Sequence, residues 1–258
     1  MKRLLDVAVS AIALVILSPI LAATALLIYL QDRHSPLYVA VRTARANRSF
    51  RMIKFRSMVV RADATGVDST AGDDPRITRL GALIRRFKLD ELPQLANVLA
   101  GDMSLVGPRP NVPRETDLYT PEEKRLLSIR PGITDLASIV FADEAEILRG
   151  SSDPDLLYNQ IIRPWKSRLG LLYVEHAGSV TLDLRIIALT AATVVNRPGA
   201  LQRVAELVRE LGGEPGLVQV AARTAPLRAA PPPGAAAIVQ SREMAASAPA
   251  RSRVEAML

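Results

Sequence analysis

The chain predicts a helix-rich α/β protein with few short strands, set beside an N-terminal apolar segment that enters a membrane and turns back. Three observations carry this expectation. Residues 7–30 are apolar except for Ser10, Ser18, Pro19 and Thr24, with Tyr29 near the end of the run. The stretch 142–195 reads as mainly helical, and Phe50-Arg51-Met52-Ile53-Lys54-Phe55-Arg56 alternates as a short strand does.

An apolar run of about 20 residues is enough to cross a bilayer, but two features argue against a simple crossing. Ser18-Pro19 stands at the middle of the run, where proline removes a backbone donor and clashes with the preceding turn. Both flanks are basic, with Lys2 and Arg3 before it and Arg33, Arg42, Arg45, Arg48 and Arg51 after it. Positive residues favour the cytoplasmic side, so basic flanks on both ends favour a bent, re-entrant anchor over residues 1–31. Each arm is then roughly half a bilayer long. A kinked transmembrane helix conflicts with the flanking charges. A signal peptide cut at Ala23-Thr24-Ala25 conflicts with an apolar run that continues to Leu30. A buried core helix would show a polar face, which this segment lacks.

The 258 residues carry 49% hydrophobic side chains, enough to bury a core. There is no cysteine, which excludes disulfides, thiolate catalysis and thiolate metal sites. A net charge of +7 calls for an anionic partner: phosphorylated substrate, acidic lipid or nucleic acid.

The cationic run Arg42, Arg45, Arg48, Arg51, Lys54, Arg56 and Arg61 suits a membrane surface. On a strand, Lys54 and Arg56 share a face and could grip one anion. Residues 63–76 form a loop, and a helix is expected over 77–87. Asp90-Glu91-Leu92-Pro93 reads as the next helix start, with Asp90 able to cap and Gly101 ending the helix. Residues 122–127 are helical by pattern, residues 180–195 form an interfacial or core helix, and 201–211 an amphipathic one. The expected organisation is an anchor over 1–31, a catalytic body over 32–196, an amphipathic helix within 197–220, and a disordered Ala/Pro-rich tail over 221–258.

The most informative run is 81–110. It places an Asp-Glu pair at a helix start, arginines and lysines around it, and the rigid turn Gly107-Pro108-Arg109-Pro110 after it. Adjacent acids with nearby cations are what phosphoryl transfer uses: a nucleophile or metal ligand, and counter-charges for phosphate oxygens. Taken singly, Asp90 could be only a helix cap and Glu91 only a surface partner of Arg86 or Lys88. Met52, Met58 and Met103 suit a core. His34 and His176 have no metal-ligand spacing.

Taken together, the motifs resemble the bacterial sugar transferases, the monotopic phosphoglycosyl transferases. The resemblance runs from Lys2-Arg3-Leu4-Leu5-Asp6 to about Val195. It rests on Ser18-Pro19, Lys54-Phe55-Arg56-Ser57-Met58, Asp74-Pro75-Arg76-Ile77-Thr78-Arg79-Leu80-Gly81 and Leu89-Asp90-Glu91-Leu92-Pro93-Gln94-Leu95. The motifs 101–110 and Arg130-Pro131-Gly132-Ile133-Thr134 complete it. It implies transfer of a sugar-1-phosphate from a UDP-sugar to undecaprenyl phosphate at the cytoplasmic face of the bacterial inner membrane, to initiate lipid-linked glycan synthesis. It further implies Asp90 as nucleophile, a phosphosugar-aspartate intermediate, Glu91 as the residue that helps hold Mg²⁺, and membrane lipids as partners. Lys54, Arg56, Arg85, Arg109 and Arg130 are the expected phosphate-gripping cations, and Ser18 and Pro19 the re-entrant break.

The chain departs from the family pattern at Ala40, Ala44 and Asn47, where relatives carry Gln and two Gly. Asp135 stands where Gly is common. Ala44 takes a left-handed turn poorly. Competing functions are a non-enzymatic basic membrane module, which leaves the Asp-Glu pair unexplained, and a phosphate-ester hydrolase using Asp90. Nucleic acid is not an expected partner, because aromatics are few and no nucleic-acid module occurs.

Overall fold

The computed structural model describes residues 1–62 and 69–241. The expected loop over 63–76 is therefore described only from Ser69. Helix α1 (Lys2–Asp32) is followed by an antiparallel hairpin of β1 (Leu37–Thr43) and β2 (Ser49–Phe55), then α2 (Arg79–Arg86) and α3 (Gln94–Ala100). Strand β3 (Ser104–Val106), α4 (Pro113–Asp117) and β4 (Gly132–Thr134) come next, β3 and β4 pairing in parallel. Short helices α5 (Leu136–Val140), α6 (Glu144–Ile147) and α7 (Pro154–Leu157) lead into α8 (Arg163–Glu175), α9 (Val180–Val195), α10 (Arg197–Glu210) and α11 (Pro215–Ala222). The body is thus rich in helix with two small two-stranded sheets, as the pattern of residues predicts.

Helix α1 continues through Pro19. Proline cannot donate to the carbonyl of Val15, four residues back. The hydroxyl of Ser18 donates to that carbonyl instead, at 2.8 Å, so the dipeptide removes one backbone bond and replaces it locally. One face of α1 lies on the body along its length. Asp6, Ser10, Thr24 and Ile28 are buried. Val9, Ala13 and Leu14 pack on the main core, and Leu21 and Ala25 on a second cluster of Ile28, Phe55 and Ile84. Ile12, Val15, Ile16, Ile20, Leu26, Leu27 and Leu30 face outward and are exposed.

Both ends of α1 are tied to this same body. Lys2 donates to Asp183 of α9 at 2.6 Å and to the Val106 carbonyl at 3.0 Å. Arg3 donates to the carbonyls of Val98 and Leu99, and Asp6 accepts from Ser104 and Leu105. At the far end Asp32 accepts two bonds from Arg56.

The main core joins β3, α5, α8, α9 and α10, with Leu136, Ile139, Val140, Leu169, Tyr173, Ile186, Val204, Leu207 and Val208 almost wholly buried. It also takes in Leu217 and Ala221 of α11. The segment expected as an appended amphipathic helix is therefore two helices that complete the core. The chain beyond 221 also departs from the expected disordered tail as far as residue 241. Trp165 donates to the Arg228 carbonyl, Ala230 to the Gln160 carbonyl, Gln160 to the Val239 carbonyl and Thr120 to the Pro233 carbonyl. An Ala/Pro-rich strip cannot form its own core, but here it borrows backbone partners from the body. Residues 242–258 of the expected tail lie outside the described residues.

The expected helix at 122–127 is a 3-10 segment, Glu123–Ser128, and it carries a wholly buried acid. Glu123 accepts two bonds from Arg163 at 3.1 and 2.6 Å, and others from Ser167 and the Thr120 N–H. Removing one member of a buried pair strands the other charge. Glu123→Ala is expected to destabilise the body by about 3–5 kcal/mol, read as a lowered unfolding midpoint in detergent. Glu122→Ala, next to it and exposed, should leave the midpoint almost unchanged.

Candidate active site

Thr78 caps α2 by accepting from the Gly81 N–H at 2.9 Å, and α2 ends at Arg86. Lys88 then adopts a left-handed backbone, φ 57°, ahead of a 3-10 turn over Leu89–Glu91. Asp90 and Glu91 thus sit on a tight turn before α3, not at its cap as the sequence suggests. The N-cap of α3 is Pro93, which offers no side-chain bond, and Gly101 ends the helix in the left-handed region as expected. Asp90 is buried, and its Oδ1 has no hydrogen-bond partner among the described residues.

Glu91 is held by two partners. Arg109 grips both carboxylate oxygens, with Nη1 3.0 Å from Oε2 and Nη2 on Oε1. Lys54 Nζ lies 4.0 Å from Oε1. Arg109 also donates to the Ile133 carbonyl at 3.2 Å. Its turn is fixed by close backbone contact, with Gly107 donating to Thr134 and Gly132 to Pro108, each at 3.0 Å. A β-carbon at Gly132 would fall 2.1 Å from the Gly107 nitrogen, so only glycine allows this approach. Lys54 is set on β2, which α3 holds through Asn97: its Oδ1 accepts from the Ile53 N–H at 2.9 Å and its Nδ2 donates to the Arg51 carbonyl at 2.8 Å. The sequence reading missed Asn97. Its only signal is a polar side chain in the middle of a short helix whose other residues, Gln94 apart, are apolar.

Asp90, Glu91, Lys54, Arg85 and Arg109 line one open cleft of about 1520 Å³. That exceeds the roughly 300–1,000 Å³ of most small-ligand sites. Arg56 reaches the cleft's edge but is spent on Asp32, at 2.6 and 2.7 Å, and on the Ser35 carbonyl. Arg130 is not brought into the cleft; its Nε donates to the Gly101 carbonyl at 2.9 Å. In the β1–β2 turn, Ala44 is extended at φ −100°, and the left-handed residues are Ala46 and Asn47. His34 and His176 bond through Nδ1 to the carbonyls of Asp32 and Leu172.

Charge follows from this packing. Burial and the neighbouring Glu91 carboxylate raise the Asp90 carboxyl above its ordinary value, against the pull of Lys54, Arg85 and Lys88. Burial alone would raise Glu91 too, but Arg109 and Lys54 outweigh it and hold Glu91 well below the usual carboxylate range. Burial, with help from the charge on Arg109, lowers Lys54 to about 8. The cleft therefore pairs a reluctant carboxylate with a permanent one, under a cation that titrates near neutrality. Preorganised charges of this kind are what stabilise an anionic group in a cleft.

Comparison with known proteins places the sequence in one family. The sequence profile of a family described as bacterial sugar transferase matches residues 1–197. The chain is 34% identical over 204 residues to a UDP-N-acetylgalactosamine-undecaprenyl-phosphate N-acetylgalactosaminephosphotransferase of Aeromonas hydrophila, covering 77% of this chain and 44% of that protein. It is 38% identical over 196 residues to an undecaprenyl-phosphate glucose phosphotransferase of Komagataeibacter xylinus, covering 73% of this chain and 35% of the relative. An exopolysaccharide production protein of Rhizobium leguminosarum bv. phaseoli is 38% identical over 207 residues, 76% of this chain and 96% of its own length. The chain thus spans less than half of the first two relatives and nearly all of the third.

Lys54 gives a pH signature. Its ammonium is present below about pH 8 and lost above it, so affinity for inorganic diphosphate should fall as pH rises through that value. Lys54→Arg keeps its charge throughout and should abolish this fall; comparing the two titrations removes the ligand's own ionisation. The effect on stability has the opposite sign, because the unfolded lysine binds the proton more tightly: stability rises as pH passes from about 8 toward 10.5.

Proposed function

Because the chain belongs to the bacterial sugar transferase family, we propose that it transfers a sugar-1-phosphate from a UDP-sugar to undecaprenyl phosphate at the cytoplasmic face of the bacterial inner membrane. The observation that carries the proposal is the buried, unpartnered Oδ1 of Asp90 beside the Glu91–Arg109 pair in a cationic cleft. The relatives whose names state a donor or acceptor supply the substrate class.

In this reading Asp90 Oδ1 attacks the sugar-bearing phosphorus. A carboxylate–phosphorus bond forms, the diphosphate bridge breaks, and UMP leaves with the electron pair. A phosphate oxygen of undecaprenyl phosphate then attacks the same phosphorus and displaces the Asp90 carboxylate, leaving the lipid diphosphate-sugar. Covalent catalysis of this kind splits one hard displacement into two easier ones. Arg109, Lys54 and Arg85 bind phosphate oxygens and offset the repulsion between two anionic substrates.

The donor set suits Mg²⁺. Each carboxylate oxygen of Glu91 keeps a lone pair beside its bond from Arg109, and magnesium commonly takes one or two carboxylates together with substrate phosphates. No group of three or more acidic, histidine or cysteine ligands occurs among the described residues, so the substrate phosphates must complete the shell. When bound, Mg²⁺ would neutralise charge on the diphosphate. Glu91 is the residue that would hold it, which leaves Asp90 Oδ1 to attack.

Mass spectrometry of the detergent-purified chain with UDP-glucose or UDP-N-acetylgalactosamine, Mg²⁺ and no acceptor should show a mass gain of one phosphosugar on Asp90. Asp90→Asn should lose the adduct and lower turnover by at least about 10³-fold, consistent with removal of a covalent nucleophile. EDTA should also suppress both. With undecaprenyl phosphate added, release of UMP and free sugar-1-phosphate with no lipid product would instead favour a hydrolase.

Attachment of both α1 ends to one body supports an anchor that does not cross the membrane. The chain has no cysteine, so single replacements Leu4→Cys and His34→Cys can be labelled without background. In sealed inverted vesicles an impermeant maleimide should label both. Labelling of only one would establish a crossing and sink the re-entrant anchor.

A further inference from the structure

Past Arg109 the cleft changes character. The near side gathers Lys54, Arg85 and Lys88 around Asp90; the far wall holds Asp135, Ser138, Glu144, Lys166 and Tyr158. Arg109 joins the two sides. It grips Glu91 on one and lies within electrostatic reach of Glu144 and Asp135 on the other. A phosphate on the far wall would meet two acids. A polyol would not, because carboxylates accept from hydroxyl groups and an ammonium donates to them.

The wall is built, not incidental. Asp135 is buried, and its Oδ1 caps α5 by accepting from the Ser138 N–H at 2.7 Å and from the Ser138 hydroxyl at 2.6 Å. The other carboxylate oxygen accepts from none of the described residues. Glu144 pairs with Lys166, whose ammonium also sits 5.4 Å from the Tyr158 ring centre. Behind Glu144, Asp143 is clamped by Arg223 at 3.1 and 3.0 Å and by Arg197 at 2.7 Å. Arg223 lies after the last residue that the family profile matches, whereas Asp143 and Arg197 lie within it. Side chains locked this way lose little freedom when a ligand arrives.

We propose that the wall of Asp135, Glu144 and Lys166 is the subsite for the sugar of the nucleotide donor, selecting an uncharged hexose over a uronic acid, with Arg223 as a positioning residue. The proposal rests on the phosphotransferase reading above. A uronate carboxylate would face two acids and one cation, whereas hexose hydroxyls find both acceptors and a donor.

The test is equilibrium binding to the full chain in detergent, using UDP, UDP-glucose, UDP-N-acetylgalactosamine and UDP-glucuronic acid; the chain with the wild-type wall and every wall variant carry Asp90→Asn, so that no adduct forms. The chain with the wild-type wall should bind the better of the two uncharged donors at least tenfold more tightly than UDP-glucuronic acid. Asp135→Asn retains the Oδ1 acceptor that caps α5, and Glu144→Gln retains shape. Each should weaken that donor at least tenfold, leave UDP affinity within twofold, and narrow the gap to UDP-glucuronic acid. Arg223→Met should weaken the same donor severalfold at constant UDP affinity. Equal loss of UDP and UDP-sugar affinity, or no loss in any variant, overturns the sugar subsite. A chain with the wild-type wall that binds no UDP at all overturns the phosphotransferase reading itself.

Discussion

The contact on which the site depends is the two-bond ion pair between Glu91 and Arg109. It joins the turn before α3 to the turn after β3, segments 18 residues apart with α3 and β3 between them. Burial taxes both charges, and a buried pair of this type is not a large net source of stability. Its value is positional. Losing either member leaves the other charge stranded in the cleft, so the two turns are effectively locked in register. Asp90, one residue away, inherits a fixed position without spending its own Oδ1 on a hydrogen bond. A buried acceptor left open is costly, and the pair beside it supplies the rigidity that keeps the acceptor from collapsing onto a neighbour.

Two opposite electrostatic outcomes arise at adjacent residues for this reason. Glu91 has Arg109 in direct contact and Lys54 nearby, so attraction exceeds the cost of burial and the carboxylate stays ionised. Asp90 has comparable burial but only more distant cations and an acidic neighbour, so its proton is held more firmly. Carboxylates separated in this manner can divide labour, one anchoring and the other reacting. The same competition lowers Lys54, which sits beside a guanidinium as well as an acid.

Much of this was legible from the chain. The Asp-Glu pair, its surrounding cations and the rigid Gly-Pro-Arg-Pro turn are local features, and the structure brings Lys54, Arg85 and Arg109 into one cleft with Asp90 and Glu91. What was not legible depended on distant partners. Alternation read a strand through Arg56; β2 ends one residue earlier at Phe55, and the pattern could not tell that Asp32, 24 residues before Arg56, would capture it. Arg130 stood in an informative motif, yet its guanidinium turns toward Gly101. Lys88 carries no residue-type signal for its left-handed backbone, a conformation that favours glycine or asparagine. Composition read the strip after 221 as unable to fold alone; residues 223–241 nonetheless lie on the body because bonds from Trp165, Gln160 and Thr120 require nothing of its side chains.

Helix α3 connects these electrostatics to the N-terminal segment. Its seven residues span only about 10 Å. Asp90 and Glu91 lie just ahead of its first residue, and Arg3 binds the carbonyls of Val98 and Leu99 near its last turn. A cation at that end matches the partial negative charge of the helix terminus, so the contact is favourable in charge as well as in hydrogen bonding. Midway, Asn97 fastens the same helix to the strand that carries Lys54. One short helix therefore sets the distance between the apolar segment and the candidate nucleophile. If the outward face of α1 lies in lipid, the depth of Asp90 relative to the membrane surface is fixed by α3 and not by a flexible linker. Under the proposed reaction the acceptor phosphate would move little along the membrane normal, so the carboxylate would have to reach the height of the lipid headgroup, and a rigid connection of about 10 Å would do so without an entropic cost at each turnover.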